Sequence, residues 1–530
     1  MKENNNHFIE MLYMIKDNHH LLEVFNEQTH IWWSKINLID MIIYLTKKYI
    51  KENSYINSST LYIKIKLLSM IDNPKECLQF IQNHLKPKEV EKKKYGEVFT
   101  PMSLVEEMLD KLPEEVWSNS ELKWFDPANG MGNFPIAVYY RLMKGLSSKI
   151  KNEEKRKKHI IENMLYMSEL NKKNCFMTKQ IFDPEDKYQL NLFEGDTLDL
   201  DPKKEWNIST FDIIMGNPPY NQSKEGSLKG GYGGRSLWDK FVEKSIDFWL
   251  KKDGLLLFIH PPSWRKPEHK LWDILSKKQL VYINCITEQD SKKLFGCSTI
   301  VDYYLLQNIN LYKKTIIEAQ DKKIYKIDLT HWKFLPSGSI DIIETILGEN
   351  KVIYSRSLYG TDKKNIIPNN LKDKKDIKNK SKESNVIYSS SIYDTRKKYI
   401  CPLKKKESKD DYYERCKTLG FTYPVIHNMT KEYGCGYVYS NENKGHFGVK
   451  KVVLSFGEFQ YPFNDFEGKY GMSQICYGLE IDNKEEGDNI CKAINSDKFK
   501  EILKYTKWST FQTDWRMFKY FKKDFWKEFI

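Results

Sequence analysis

Asn217-Pro218-Pro219-Tyr220 follows an apolar run, Phe211-Asp-Ile-Ile-Met, that reads as a strand. The two prolines stop that strand, restrict the local φ angles and hold Asn217 and Tyr220 at a sheet edge with little freedom. The Asn217 side-chain oxygen and the Pro218 carbonyl can each accept one N–H of an exocyclic amine, while the Tyr220 ring stacks on the base that carries it. Accepting both hydrogens localises the amine lone pair, so a poor conjugated nucleophile becomes able to attack an electrophilic methyl. Neither a metal nor a covalent enzyme intermediate is required.

Three acids precede this motif, each at the end of an apolar run. Leu122 to Asp126 reads as a short strand with a carboxylate at its end, followed by the glycine turn Gly130-Met-Gly132 and a helix over Ile136 to Met143. Ligands of open α/β sheets bind at such strand ends, and the glycines let the backbone approach them closely. Pro135 stands where the third glycine of a dinucleotide fingerprint belongs, which disfavours a nicotinamide enzyme. Leu165 to Glu169 closes the second strand with a carboxylate suited to a ribose diol, and Leu192 to Asp196 closes the third with an acceptor for an adenine amino group. Each acid alone is more often a helix cap or salt-bridge partner. Their arrival one per strand carries the functional reading.

The elements that position these residues alternate from about 95 to 310 between apolar strands and helical stretches, the pattern of a parallel sheet with crossover helices. Residues 1–90 have helical spacing and form a small N-terminal segment. Residues 361–410 hold fifteen Lys+Arg against seven Asp+Glu, a basic linker or phosphate-facing loop. From about 415 onward, strands over Lys451 to Phe456 and Ser473 to Ile481 precede a helical pattern, an α+β arrangement. Lys+Arg exceed Asp+Glu by 85 to 72, a formal +13 that favours a polyanionic partner. Nine cysteines without a C-x-x-C pair read as reduced thiols, and the eleven histidines make no zinc pattern. No apolar run approaches a membrane span, and the N-terminus carries no export signal, so a cytoplasmic location is expected.

Over residues 94–310 the chain resembles the gamma-class N6-adenine DNA methyltransferases of type II restriction-modification systems. Tyr95-Gly-Glu-Val-Phe99-Thr100-Pro101 resembles the family's leading motif, Asp126 to Phe134 its glycine loop, and Asn217 to Tyr220 its catalytic motif. Asp253 to Trp264 resembles its fifth strand and following loop, and Leu294-Phe295 to Thr299 the motif whose aromatic stacks on the flipped base. The resemblance implies a Rossmann-like α/β methyltransferase domain with a mixed, mainly parallel sheet over 91–310. It also implies S-adenosyl-L-methionine as cofactor. Thr100, Pro101, Asp126, Ala128, Gly130, Gly132 and Asn217 would serve its methionine and ribose region, Glu169 its ribose hydroxyls and Asp196 its adenine. Asn217, Pro218, Pro219 and Tyr220 would hold the target adenine, with Tyr220 and Phe295 stacking on it. Thr100 reads as an N-cap and Pro101 as the first residue of a helix that buries Leu104, Val105, Met108, Leu109 and Leu112.

Such an enzyme needs a part that reads sequence, and residues 311–530 supply an α+β target-recognition domain for double-stranded DNA. Gln460, Tyr461, Asn464 and Arg516 are its candidate polar readers, each equally open to a structural role. The closing aromatics from Trp508 to Trp526 read as a packed face. A cognate restriction endonuclease would be encoded separately, or the enzyme would act as an orphan. The other readings are an RNA N6-adenine methyltransferase, a protein glutamine methyltransferase and an inactive DNA-binding subunit.

Overall fold

The computed structural model describes residues 100–183, 187–221, 236–296, 299–348, 354–356, 383–388 and 398–530, less short gaps at 405–406, 431–433, 444–445, 456–460, 474–475 and 509–513. Residues 1–99, the glycine-rich stretch Gly226 to Gly234, Gln460 and most of the basic run 361–410 lie outside them. The chain divides into two compact units at Ile259/His260.

In the first unit a helix α1 (Met102–Leu109) precedes β1 (Trp124–Asp126), α2 (Asn133–Gly145), β2 (Leu165–Glu169), α3 (Lys172–Phe182), β3 (Asn191–Glu194), β4 (Phe211–Gly216), α4 (Trp238–Lys244) and β5 (Leu250–His260). The strands lie in the order β3-β2-β1-β4-β5, with every neighbouring pair parallel. Strands buried on both faces carry apolar residues without alternation. Trp124, Phe125, Ile213, Ile214 and Met215 are accordingly all buried. Phe125 stacks on Phe211 at 4.4 Å and meets Trp249 edge-on at 5.4 Å, so aromatic rings join β1 and β4 to the chain entering β5.

Leu104, Val105, Met108 and Leu109 recur at helical spacing and bury α1 as the sequence predicts. Arg141 of α2 reaches the Glu106 carbonyl at 3.0 Å and Asp110 at 2.7 Å, fixing how α1 lies on α2. The start of α1 differs from expectation. Pro101 is the capping residue, Met102 begins the helix, and Thr100 makes no cap bond. The hydroxyl that would have capped α1 is committed elsewhere.

The second unit carries β6 (Lys278–Cys285), α5 (Glu288–Phe295), β7 (Asp302–Asn310), β8 (Thr315–Glu318) and β9 (Ile324–Ile327), ordered β7-β6-β8-β9 with only β6-β8 parallel. Beyond them follow β10 (Tyr354–Arg356), β11 (Glu383–Tyr388), α6 (Lys409–Thr418), β12 (Tyr423–Thr430), β13 (Gly434–Ser440), β14 (Lys451–Ser455), β15 (Phe463–Asp465), β16 (Gly471–Met472), β17 (Cys476–Glu480), α7 (Lys484–Asn495) and α8 (Asp497–Tyr505). One sheet runs β10-β11-β17-β14-β15 and a smaller one β13-β12-β16. Phe499 of α8 gathers Phe518 and Phe525 at 6.0 and 5.8 Å, so those closing aromatics form a core. They sit on short 3-10 turns rather than on a long helix.

A buried ion pair ties the loop after β5 to β7. Arg265 Nε donates to Asp302 Oδ2 at 2.6 Å and Nη2 to Oδ1 at 3.0 Å, with both side chains fully enclosed. Its other donors reach the carbonyls of Leu335 and Pro336 and the Ser337 hydroxyl, so all five guanidinium N–H groups are used. Asp302→Ala leaves that charge buried with only two carbonyls and a hydroxyl for partners and should cost about 3–5 kcal/mol. Urea unfolding of the full chain checks this; a variant within 1 kcal/mol of wild type, by the same scale, would contradict the account.

Candidate active site

Parallel strands place their carboxyl ends along one edge. Asp126 is the last residue of β1, Glu169 the last of β2, Asp196 lies two residues beyond β3, and Asn217 directly follows β4. Since the order is β3-β2-β1-β4, four chemically active side chains fall on neighbouring strand ends of the first unit.

Asp126 is 1% exposed, and its Oδ1 accepts the Ala128 N–H at 3.0 Å. Burial raises its pKa, the Ala128 bond lowers it and the charge of Glu169 raises it again, leaving the carboxyl pushed up to about 8. The neighbouring strand explains the tight fit. Gly216 closes β4 at φ 153°, and a Cβ there would lie 2.8 Å from Asp126 Oδ1. Glycine is thus required immediately before Asn217 for both conformation and space.

The glycine turn is held by Glu169. Gly130 N–H donates to Oε2 at 2.7 Å and Asn171 N–H to Oε1 at 2.6 Å, while the Glu169 carbonyl accepts the Gly195 N–H at 3.0 Å. Gly130 and Gly132 adopt φ of 57° and 88°, left-handed values that glycine tolerates. A Cβ on Gly130 would meet only Ala128 O, at 4.0 Å, so the turn leaves open space at its first glycine. Asn129 Nδ2 bonds Thr178 Oγ1 at 2.6 Å. Among the described residues, the buried Oδ1 atoms of Asn129 and Asn133 have no hydrogen-bond partner. Asp196 is exposed and caps the 3-10 turn Thr197–Asp199 through the Leu198 N–H.

Thr100 joins the glycine loop to the Asn-Pro-Pro-Tyr segment. Asn217 Nδ2 donates to Thr100 Oγ1 at 3.0 Å, and Asn133 Nδ2 donates to the Thr100 carbonyl at 2.7 Å. Donation through Nδ2 leaves the Asn217 oxygen as the acceptor end of the amide. Pro218 and Tyr220 are buried and Pro219 half-buried, as is Pro101. The Tyr220 carbonyl accepts the Leu237 N–H at 3.1 Å and Asn221 pairs with Ser236, so the chain entering α4 returns beside the motif.

The structure therefore gathers Thr100, Asp126, Gly130, Gly132, Glu169 and Asn217 in one unit. Phe295 belongs to the other, half-buried at the end of α5 before Gly296 turns left-handed at φ 69°. Asn133 and Gly216 escaped sequence reasoning, although the placement of Gly216 directly after an apolar run and before Asn-Pro-Pro was an available signal. Among the candidate readers of the second unit, Asn464 Nδ2 bonds Asp488 at 2.8 Å, Arg516 pairs with Asp514, and Tyr461 packs against a core cluster. No group of three metal-ligating side chains occurs among the described residues, and no helix among them is long and apolar enough to cross a membrane.

Residues 51–295 match the family described as Eco57I restriction-modification methylase. A Mycoplasma pneumoniae protein named "Uncharacterized adenine-specific methylase" is 29% identical over 304 residues, covering 43% of this chain and 70% of that protein. Among solved structures, the type IIL restriction-modification enzyme MmeI in complex with DNA is similar at TM-score 0.46 and 11% identity, over 78% of this chain and 66% of that one. A chain of a type I restriction-modification system is similar at TM-score 0.36 and 12% identity, over 58% of this chain and 62% of that one. This chain thus spans just under two thirds of each of these two solved chains. The two sequence matches support a methyltransferase of the restriction-modification type.

Two outcomes follow from this geometry. The unfolded chain loses the Asp126 proton near pH 4, whereas the folded chain keeps it to about pH 8. Stability owed to this group is full below the lower value and falls as pH rises towards the upper. Asp126→Asn should gain on wild type across that window in thermal melts, and a constant difference with pH would contradict this. Thr100→Val removes the acceptor for Asn217 Nδ2 while keeping shape. It should lower methyl-transfer kcat on the order of 10-fold, the worth of one hydrogen bond, with the fold intact by circular dichroism.

Proposed function

We propose that this chain transfers the methyl group of S-adenosyl-L-methionine to N6 of an adenine turned out of duplex DNA, as the modification arm of a restriction-modification system or as an orphan. The observation that carries the reading is the Asn217-Pro-Pro-Tyr220 segment at the end of β4, beside the acids that end β1 and β2.

The residues present fit the cofactor: a glycine turn with open space at Gly130, buried amide oxygens on Asn129 and Asn133 that no described residue bonds, and carboxylates at adjacent strand ends. A cationic group beside Asp126 would draw its proton off, and the Glu169 carboxylate at the end of β2 would meet the ribose diol. Asp196 would take the adenine amine. S-adenosyl-L-methionine supplies the electrophilic methyl. Asn217 Oδ1 and the Pro218 carbonyl would each accept one hydrogen of the target N6, and Tyr220 would stack on the base; Phe295 is the second stacking candidate. Held by these acceptors, N6 would present its lone pair to the methyl that the bound cofactor would supply, and the proton N6 gives up would leave to solvent.

In this reading residues 91–310 form the methyltransferase domain, 311–530 the target-recognition domain and 1–90 a helical extension. The protein would work inside the cell and beside a separately encoded endonuclease. Incubation with labelled S-adenosylmethionine and separate pools of duplex DNA, RNA and protein tests the substrate. Label should enter DNA, and label in RNA or glutamine alone would overturn the proposal. Asn217→Ala removes a preorganised acceptor of developing charge and should cost on the order of 100- to 1,000-fold in kcat. Cofactor affinity by calorimetric titration should hold, because no strand-end acid is touched; an undiminished kcat would contradict the assignment.

A further inference from the structure

The turn after β5 and the 3-10 turn Trp515–Tyr520 of the second unit bring together Lys266, Arg516 and Lys519 with Glu268 and Asp514. Two of the cations are neutralised within the cluster. Lys519 is 2% exposed, with Nζ 2.6 Å from Glu268 Oε1. Arg516 Nε donates to Asp514 Oδ1 at 2.7 Å and Nη2 to Oδ2 of the same carboxylate. Lys266 is half-buried, and its ammonium makes no hydrogen bond or ion pair among the described residues. Arg516 likewise spends one edge of its guanidinium on Asp514 and no described residue accepts from Nη1.

A half-enclosed cation without a partner is unfavourable unless an anion joins it. Burial first, and then the charge of Arg516, hold the Lys266 ammonium below the ordinary lysine range, although Asp514 opposes them. Here the cluster has three positive groups against two negative ones, and two donors, Lys266 Nζ and Arg516 Nη1, bond no described residue. A point cation beside a guanidinium edge suits an anion with several acceptor oxygens.

We propose that Lys266 Nζ and Arg516 Nη1 bind one backbone phosphate of the DNA substrate, anchoring the duplex to the second unit. This rests on the DNA reading above and adds a site to it. A phosphate contact positions the duplex without reading its sequence, so Arg516 acts here as an anchor rather than a base reader.

Anisotropy of a labelled random-sequence duplex across a salt series tests it. The log K against log salt slope should fall by about 0.9 in Lys266→Gln, the worth of one neutralised phosphate. Lys266→Arg should restore the wild-type slope. Lys266 has no partner to orphan among the described residues, so folding should be unaffected, and thermal melts check this. An unchanged slope in a folded Lys266→Gln protein overturns the site. So does an equal fall in Lys314→Gln, an exposed lysine outside the cluster, since net charge alone would then account for it. If added inorganic phosphate raises the Tm of wild type but not of Lys266→Gln, while their DNA slopes agree, the site takes the free ion and the proposal is wrong. Wild type that binds no duplex at any salt would instead sink the DNA reading itself.

Discussion

One hydrogen bond joins the two halves of the candidate site. Thr100 Oγ1 accepts from Asn217 Nδ2 at 3.0 Å, while the Thr100 carbonyl accepts from Asn133 at the start of the helix after the glycine turn. An asparagine amide can present either end to a ligand, and the two ends have opposite chemistry. Tying down the nitrogen makes the oxygen the acceptor end of the amide. The same residue that precedes α1 therefore couples the glycine loop to the amide at the end of β4, and displacement of either changes the other.

Close approach between strands supplies a second constraint. The last residue of β4 must be glycine because Asp126 occupies the space a side chain would need. Asp126 in turn is enclosed deeply enough to hold a proton near neutral pH, and Glu169 adds like charge from the next strand. Such a carboxyl is costly to ionise until a donor or cation arrives.

Much of this was legible in the sequence where the determinant is local. The strand ends at Asp126, Glu169 and Gly216 follow from short apolar runs cut by acids, glycine or proline, and the buried face of α1 from helical spacing. Thr100 was misread as a cap because the competing acceptor role depends on a residue 117 positions away. The sequence left Asn464 and Arg516 open between a reading and a structural role because their partners, Asp488 and the 3-10 turn that presents Asp514, become visible only in the fold. The Arg265 pair with Asp302 spans 37 positions and leaves no periodic trace.

The central claim is that Asn217 activates an exocyclic adenine amine in duplex DNA. It is tested most directly by reacting duplex DNA with S-adenosylmethionine, digesting it to nucleosides and identifying the methylated species by mass spectrometry, for wild type and Asn217→Ala in parallel. The account predicts N6-methyldeoxyadenosine from wild type and almost none from the variant. Methylation at a ring carbon, or equal yields from both proteins, would contradict it.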